Sequence, residues 1–451
     1  MHTLPDNPVD TLIDARWIIP IEPARQTLSR HSIAISDGVI RDILPTGEAH
    51  AKYSAKQHFQ LDDHVLIPGL INLHTHAAMS LLRGLADDLP LMDWLNNHIW
   101  PAEAKFVSPE FVRDGTLLAC AEMLRGGVTC FNDMYFFPAA TAQVALSAGM
   151  RAAIGMIVVD FPTAYAADAD DYLSKGLAVR DEFRGEPLLS FTLAPHAPYT
   201  VSDKTFTKVL TYAEQLDLTI HIHLHETHDE IEGSLKQYQI RPLERLHRLG
   251  LLGPNLIAAH MVQINTQEIR LLAEHGCHVA HCPSSNLKLA SGIAPVMEKL
   301  EHDVNVGLGT DGAASNNRLD MFTEMRLAAL LAKGQSRHAA ALPAHQALAM
   351  ATIHAAKALG IDRLTGSLAI GKAADITAVD LSAPETQPCY DVASHLVYAA
   401  GRENVSHVWV NGKLVLDERH LTTIDIHELN ARTRFWHEKI NNHKSFSAGQ
   451  P

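Results

Sequence analysis

Apolar and polar positions along this 451-residue chain follow two different rhythms. Near the N-terminus the pattern is short and strand-like: Thr11–Ile19, a stretch around Ser32–Ile35, and Val39–Leu44 after an Asp37-Gly38 turn signal. That style returns at the C-terminal end. GSLAIGKAADITAVDL (Gly366–Leu381) and VSHVWVNGKLVLDE (Val405–Glu418) are β-rich, the second with an Asn411-Gly412 hairpin turn. Between these flanks, eight apolar runs alternate with helix-sized spacers: VLIPGLINLHTH, GVTCFNDMYF, RAAIGMIVVD, LLSFTLAPHAPY, LTIHIHLHE, NLIAAHM, HVAHCP and NVGLGTDG. Alternation of that kind predicts an α/β fold, a (β/α)8 barrel of about 250 residues. The expected boundaries put the barrel at residues 65–364. Residues 1–64 and 365–451 then meet in one small β domain with a helical tail.

Composition narrows the function. Hydrophobic residues make up 47% and charged residues 20%, as in a protein that folds around a large core. With 37 Lys+Arg against 51 Asp+Glu the net charge is −14, so no basic surplus exists to displace counterions from nucleic acid. No eighteen-residue apolar run points to a membrane span, and the N-terminus lacks the basic-then-apolar pattern of a secretory signal. Five cysteines without a CxxC pair read as reduced thiols, and the expected location is cytoplasmic. The unusual count is 28 histidines, whose full protonation would carry the charge to +14. Their number proves nothing; their placement does.

Polar residues recur at the C-terminal ends of the apolar runs, the rim where barrel active sites are built. His74 and His76 are two apart, so on a strand both imidazoles share a face. On the strand Leu218–His225, Leu218, Ile220, Ile222 and Leu224 take one face, and Thr219, His221, His223 and His225 the other. Histidines facing a purely structural core would need polar partners. Periodicity does not say which of the three binds a metal. Glu226 follows at once, His260 ends the next run, and Asp311 ends the last, in LGTDGAASN. Alone, Asp311 reads equally well as a helix N-cap and His260 as a satisfied core histidine; together they favour one shared site. Imidazoles with a carboxylate suit Zn²⁺ first, then Fe²⁺ or Mn²⁺, with an open position for water whose pKa falls to about 7. Glu226 and His260 remain to move protons in a hydrolytic attack.

With these residues in hand, the chain resembles the amidohydrolase superfamily over nearly its whole length. HTHAAMSLLRG, DMYF, PHAPY, HLHET, AAHMVQ, SSNLKLASGIAPV and LGTDGAASNN are similar to the branch of 5′-methylthioadenosine/S-adenosylhomocysteine deaminases. The resemblance implies a distorted (β/α)8 TIM barrel, a composite β-sandwich from the N- and C-terminal segments, and one divalent metal. It implies His74, His76, His223 and Asp311 as metal ligands, the H-x-x-E spacing to Glu226 selecting His223. It also implies that Glu226 binds the purine edge and shuttles protons, that His260 orients the attacking water, and that His196 touches substrate. Glu103, in HIWPAEAKF, stands where the family grips the ribose diol.

Two departures follow. Binuclear relatives bridge their metals with a carboxylated lysine, and no lysine occurs between Lys175 and Lys204, which favours one metal. The arginine that meets the amino-acid carboxylate of S-adenosylhomocysteine is replaced by Met156, with Arg151 and Arg180 as the substitutes at hand. A thioether offers no charge, so 5′-methylthioadenosine and adenosine rank above S-adenosylhomocysteine. The apolar stretch after His76, including Trp94, is expected to wall the purine and its 5′ substituent. The expected activity is metal-dependent hydrolytic deamination of an adenosine-type nucleoside. Rival readings are deamination of a free base or pterin, or triazine-type hydrolysis, on the same site. A metal-binding scaffold without catalysis is the rival outside the enzymes. Homo-oligomerisation is implied by resemblance alone.

Overall fold

Sixteen strands and the helices between them account for most of residues 7–447, the part described by the computed structural model. The ends of the expected boundaries, residues 1–6 and 448–451, lie outside the described residues. The chain opens with β1 (Asn7–Ile18), β2 (Leu28–Ser36), β3 (Val39–Pro45) and β4 (Tyr53–Pro68). Eight strands then alternate with helices: β5 (Leu70–Thr75), β6 (Val128–Tyr135), β7 (Arg151–Val158), β8 (Leu189–Pro195), β9 (Thr219–Leu224), β10 (Leu256–His260), β11 (His278–His281) and β12 (Asn305–Leu308). The chain ends with β13 (Ile376–Asp380), β14 (Val405–Val410), β15 (Lys413–Asp417) and β16 (His420–Leu421), followed by the helix Ile426–Ser447.

The first and last groups form one mixed sheet in the order β16-β15-β14-β13-β4-β1-β2-β3. The N-terminal strand β1 runs parallel to β4 and antiparallel to β2, with Ile13 opposite Ile33. Ile13, Ile33, Ile35, Ile40 and Trp409 bury one face of this sheet. Asn411 and Gly412, at φ 49° and 74°, make the two-residue turn between β14 and β15, the left-handed pair that an Asn-Gly hairpin requires.

The middle eight strands form a parallel, nearly closed barrel whose sheet order is its chain order. Every residue of β6 and β7 is buried, as expected of parallel strands covered on both faces. The apolar run VLIPGLINLHTH, read as one barrel strand, is in fact divided. Its first half ends β4 of the mixed sheet, and only Leu70–Thr75 enters the barrel. Gly69 stands at the break, because a Cβ there would lie 2.0 Å from Thr129 Oγ1. At the other end of the barrel sheet the backbone of Gly309 abuts His74, where a Cβ would come within 2.7 Å of the His74 nitrogen. Asp311 N donates to His74 O at 2.9 Å, so the tips of β5 and β12 meet.

Contacts divide the chain into two compact units, Met1–Asn72 with Met123–Cys130 and Asp320–Thr422, and Leu73–Glu122 with Phe131–Leu319 and Thr423–Pro451. That division runs differently from breaks at 64/65 and 364/365. In the first unit Ile71 N bonds Ala351 O, drawing in the helices after residue 320. In the second, Trp436 of the last helix is fully buried and donates Nε1 to Asp114 Oδ2 at 2.9 Å. Among the described residues no helix is long and apolar enough to cross a membrane.

Candidate metal centre and its cavity

Strand parity brings the first two imidazoles together: His74 and His76, two apart at the end of β5, have ring centroids 4.9 Å apart. On β9 the three histidines of one face separate. His223 reaches the same point as His74 and His76. His221, one step deeper, places Nε2 2.8 Å from His74 Nδ1. His225 lies just past the strand at φ 54°, and that left-handed residue turns its ring away, to accept from Leu243 N and donate to Gln263 O. Asp311, also left-handed at φ 61°, completes the group from the end of β12.

Ligand atoms of His74, His76, His223 and Asp311 all lie within 4.8 Å of one another. Asp311 Oδ1 is 3.4 Å from His74 Nε2 and 3.2 Å from His76 Nε2, and His76 Nε2 is 3.1 Å from His223 Nε2. A tetrahedral zinc with bonds near 2.0–2.1 Å separates its ligand atoms by about 3.3 Å, so this spacing fits such an ion. The hydrogen bonds agree. His76 Nδ1 donates to Met134 O at 2.6 Å and His223 Nδ1 to His196 O at 2.7 Å, which leaves each Nε2 lone pair facing inward. His74 Nε2 is buried without a hydrogen-bond partner. Asp311 Oδ2 receives the hydroxyls of Ser285 and Ser315 at 2.6 Å each, leaving Oδ1 toward the imidazoles.

Burial and close packing shift the titration of these groups. Burial drives the His221 and His223 rings well below the ordinary histidine range and takes His74 to about 4. His76 is the exception: burial opposes its charge, but Asp311 outweighs that and lifts it to about 9. Burial also acts against the Asp311 carboxylate, and the His74 and His76 rings beside it hold it well below its usual range.

His76, His223 and Asp311 of this group line a cavity of about 480 Å³. Glu226 and His260 line the same wall, with Glu226 Oε2 3.8 Å from His260 Nε2. Burial pushes the Glu226 carboxyl up. His260, at φ 71°, is held by its Nδ1 against Asn286 Oδ1 at 2.9 Å. His196 lines the cavity 4.8 Å, ring to ring, from His223, and Trp94 lines its apolar side. Glu103 also faces in; Tyr135 donates its hydroxyl to Glu103 Oε1 at 2.7 Å, and burial raises that carboxyl to about 7.

Met156 does not join them. It points from β7 toward the helix Ala169–Glu182, so close that a Cβ on Gly176 would lie 2.8 Å from its own Cβ. Strand alternation makes Ile157, its neighbour, the residue that faces the cavity. Nor do the two arginines: Arg151 donates to Pro187 O and Arg180 pairs with Asp181, and neither lines the cavity. Reading the sequence missed Tyr135, Asn286, Ser285, Ser315 and Glu230. Glu230 accepts from the backbone of His225 and Glu226 at 2.9 and 2.8 Å, fixing the turn that presents Glu226. Most of these fall inside the motif blocks quoted above, but their partners come from other strands.

Residues 65–415 match the amidohydrolase family. The 5-methylthioadenosine/S-adenosylhomocysteine deaminase of Saccharophagus degradans is 48% identical over 433 residues, covering 96% of this chain and 97% of the relative. The 5′-deoxyadenosine deaminase of Methanosarcina mazei is 41% identical over 416 residues, 92% of this chain and 95% of the relative. A crystal structure of an adenosine deaminase from Xanthomonas campestris with bound zinc matches at 50% identity and a TM-score of 0.96, covering 97% of this chain and all of that one. Likeness of this extent, over a barrel whose strand tips carry such a centre, assigns the chain: it belongs to the amidohydrolase family, in the group of the 5-methylthioadenosine/S-adenosylhomocysteine deaminases.

Proposed function

We infer that this enzyme hydrolytically removes the 6-amino group of adenosine-type nucleosides, with 5′-methylthioadenosine preferred. One observation carries the reading: the acid–base pair Glu226 and His260 lines the same cavity as His76, His223 and Asp311, three of the four converging metal donors. His74, His76, His223 and Asp311 would hold one divalent cation, zinc first. When bound, that cation would supply Lewis-acid chemistry, which lowers the pKa of water to about 7. The zinc of the Xanthomonas structure supports that choice.

The chain's own groups account for the proton balance. Glu226, whose carboxyl is pushed up by burial, gives a proton to the ring nitrogen beside C6 and makes that carbon electrophilic. Asn286 holds the His260 ring, which orients the attacking water. Asp311 takes one proton from that water as its oxygen bonds to C6. The same proton passes to the amino group, which leaves as ammonia when the C–N bond breaks. The hydroxyl proton left on C6 returns to Glu226, so one water is consumed and one ammonia released.

Preference for the methylthio substituent rests on charge. Among the described residues no Lys or Arg lines the cavity, whose lining includes Trp94, Trp100 and Phe161. An amino-acid zwitterion would be desolvated there without a cationic partner; a thioether would not. Five cysteines, none in a disulfide among the described residues, fit a cytoplasmic location. Ammonia release should be followed with 5′-methylthioadenosine, adenosine, S-adenosylhomocysteine and guanine side by side. The expected order is 5′-methylthioadenosine, adenosine, then S-adenosylhomocysteine, with guanine inert. Silence of the metal-loaded enzyme toward every aminopurine would end the proposal.

A further inference from the structure

Three side chains of the mixed-sheet unit meet at a point of their own. In the parallel pair of β1 and β4, Leu12 stands opposite His58 and Asp14 opposite Gln60, so His58 and Asp14 project from the same face. The helix Thr46–Lys52 lies over that face, with Ala49 packed against Val9, Leu12 and Ala34. Its next residue, His50, is thereby brought to Asp14. His50 Nε2 and His58 Nε2 approach the same oxygen, Asp14 Oδ2, at 2.8 and 2.7 Å.

The carboxylate is buried and held in place. Ser32 donates its hydroxyl to the other oxygen, Oδ1, at 2.6 Å. Cationic neighbours are engaged elsewhere: Lys52 with Asp42, Lys56 with Asp10 and Arg41 with Asp37. Among the described residues only imidazoles serve Asp14 Oδ2. Both rings are more than two-fifths exposed, so an ion and its waters have access.

We propose that Asp14, His50 and His58 form a second divalent-cation site, separate from the deaminase centre and of the zinc class. Two imidazoles and one carboxylate select Zn²⁺, Ni²⁺ or Cu²⁺ over the oxygen-seeking Mg²⁺ and Ca²⁺. Their three donor atoms already lie within 4.8 Å of one another. Ligands of a tetrahedral zinc sit about 3.3 Å apart, so each imidazole must withdraw about half an ångström from Oδ2, an adjustment open to half-exposed rings. Water fills the remaining positions. An ion there ties β1, β4 and the helix between them, and takes no part in deamination.

The test uses the enzyme already carrying its catalytic metal, dialysed against Zn²⁺, with metal per chain measured by mass spectrometry. The unmodified protein should take up a further saturable equivalent, and its melting temperature should rise with it. His50→Gln and His58→Gln should each weaken that uptake at least about tenfold and abolish the zinc-dependent rise, with ammonia release unchanged. Cu²⁺ at the site should show nitrogen hyperfine coupling from two imidazoles, reduced to one in either variant. Absence of a further equivalent overturns the proposal, and so does an equivalent retained undiminished in both variants, which would place it among other histidines. The two substitutions are on separate exposed side chains, so either folded variant decides the matter.

Discussion

His221 Nε2 lies 2.8 Å from His74 Nδ1 in a setting where neither ring is exposed. His74 presents its Nε2 lone pair to the metal centre only if Nδ1 carries the proton, and that proton then needs an acceptor. His221, kept neutral by burial, is that acceptor. Replacing His221 with Leu should lower zinc affinity by about 10–100-fold, measured by competition with a chelator. Gln, whose side-chain oxygen also accepts, should recover part of the loss. Equal affinity in all three proteins would show that His74 does not depend on this bond.

Glu226→Gln keeps the shape of the side chain and removes its acid. Metal content should stay at one per catalytic centre while kcat falls by about 10²–10⁴. Turnover near that of the unmodified enzyme would remove Glu226 from the proton path.

Glu103 titrates in the working range, because burial lifts it to about 7 from an ordinary 4.5. The folded value lies above the unfolded one, so the linked stability is complete below the ordinary range and lost as pH rises through about 7. If Glu103 meets the ribose, binding runs the other way, since hydroxyls donate better to a carboxylate than to its acid. For a nucleoside, kcat/KM should rise with pH through about 7, and this limb should vanish in Glu103→Gln. A pH profile unchanged by that substitution would count against a ribose contact and favour a substrate without the sugar.

Trp94 lines the cavity with its indole N–H buried and unpartnered. Trp94→Phe should raise KM by about tenfold, as for one lost hydrogen bond of 1–1.5 kcal/mol, and leave kcat nearly unchanged. A fall in kcat alone would place Trp94 outside substrate binding.

Trp436 anchors the last helix by full burial and by its bond to Asp114, which Arg432 also meets at 2.8 Å. Trp436→Ala should cost about 3–5 kcal/mol and Trp436→Phe less, both read from urea unfolding. A loss under about 0.5 kcal/mol for the alanine variant would mean that this helix unfolds on its own.

Periodicity was enough for the barrel, because strand and helix rhythms are local properties that the chain repeats eight times. It was also enough for His74 and His76, which a strand must present side by side. It could not rank His221, His223 and His225, since all three share one parity; a left-handed residue after β9 and a ring one layer deeper separated them. Met156, placed by resemblance to a family arginine, points away from the cavity, because one position's shift reverses the face of a strand.

Local order along the chain thus sufficed for the kinds of element, the chemistry of the donors and the family. Which rings converge, which support them, and where Glu103 finds Tyr135 depended on β5, β6, β9 and β12 being closed round one axis. Residues 147 and 236 positions apart become neighbours there. Hydrogen bonds between such residues leave no periodic trace, because their spacing is set by barrel closure and not by the pitch of any element.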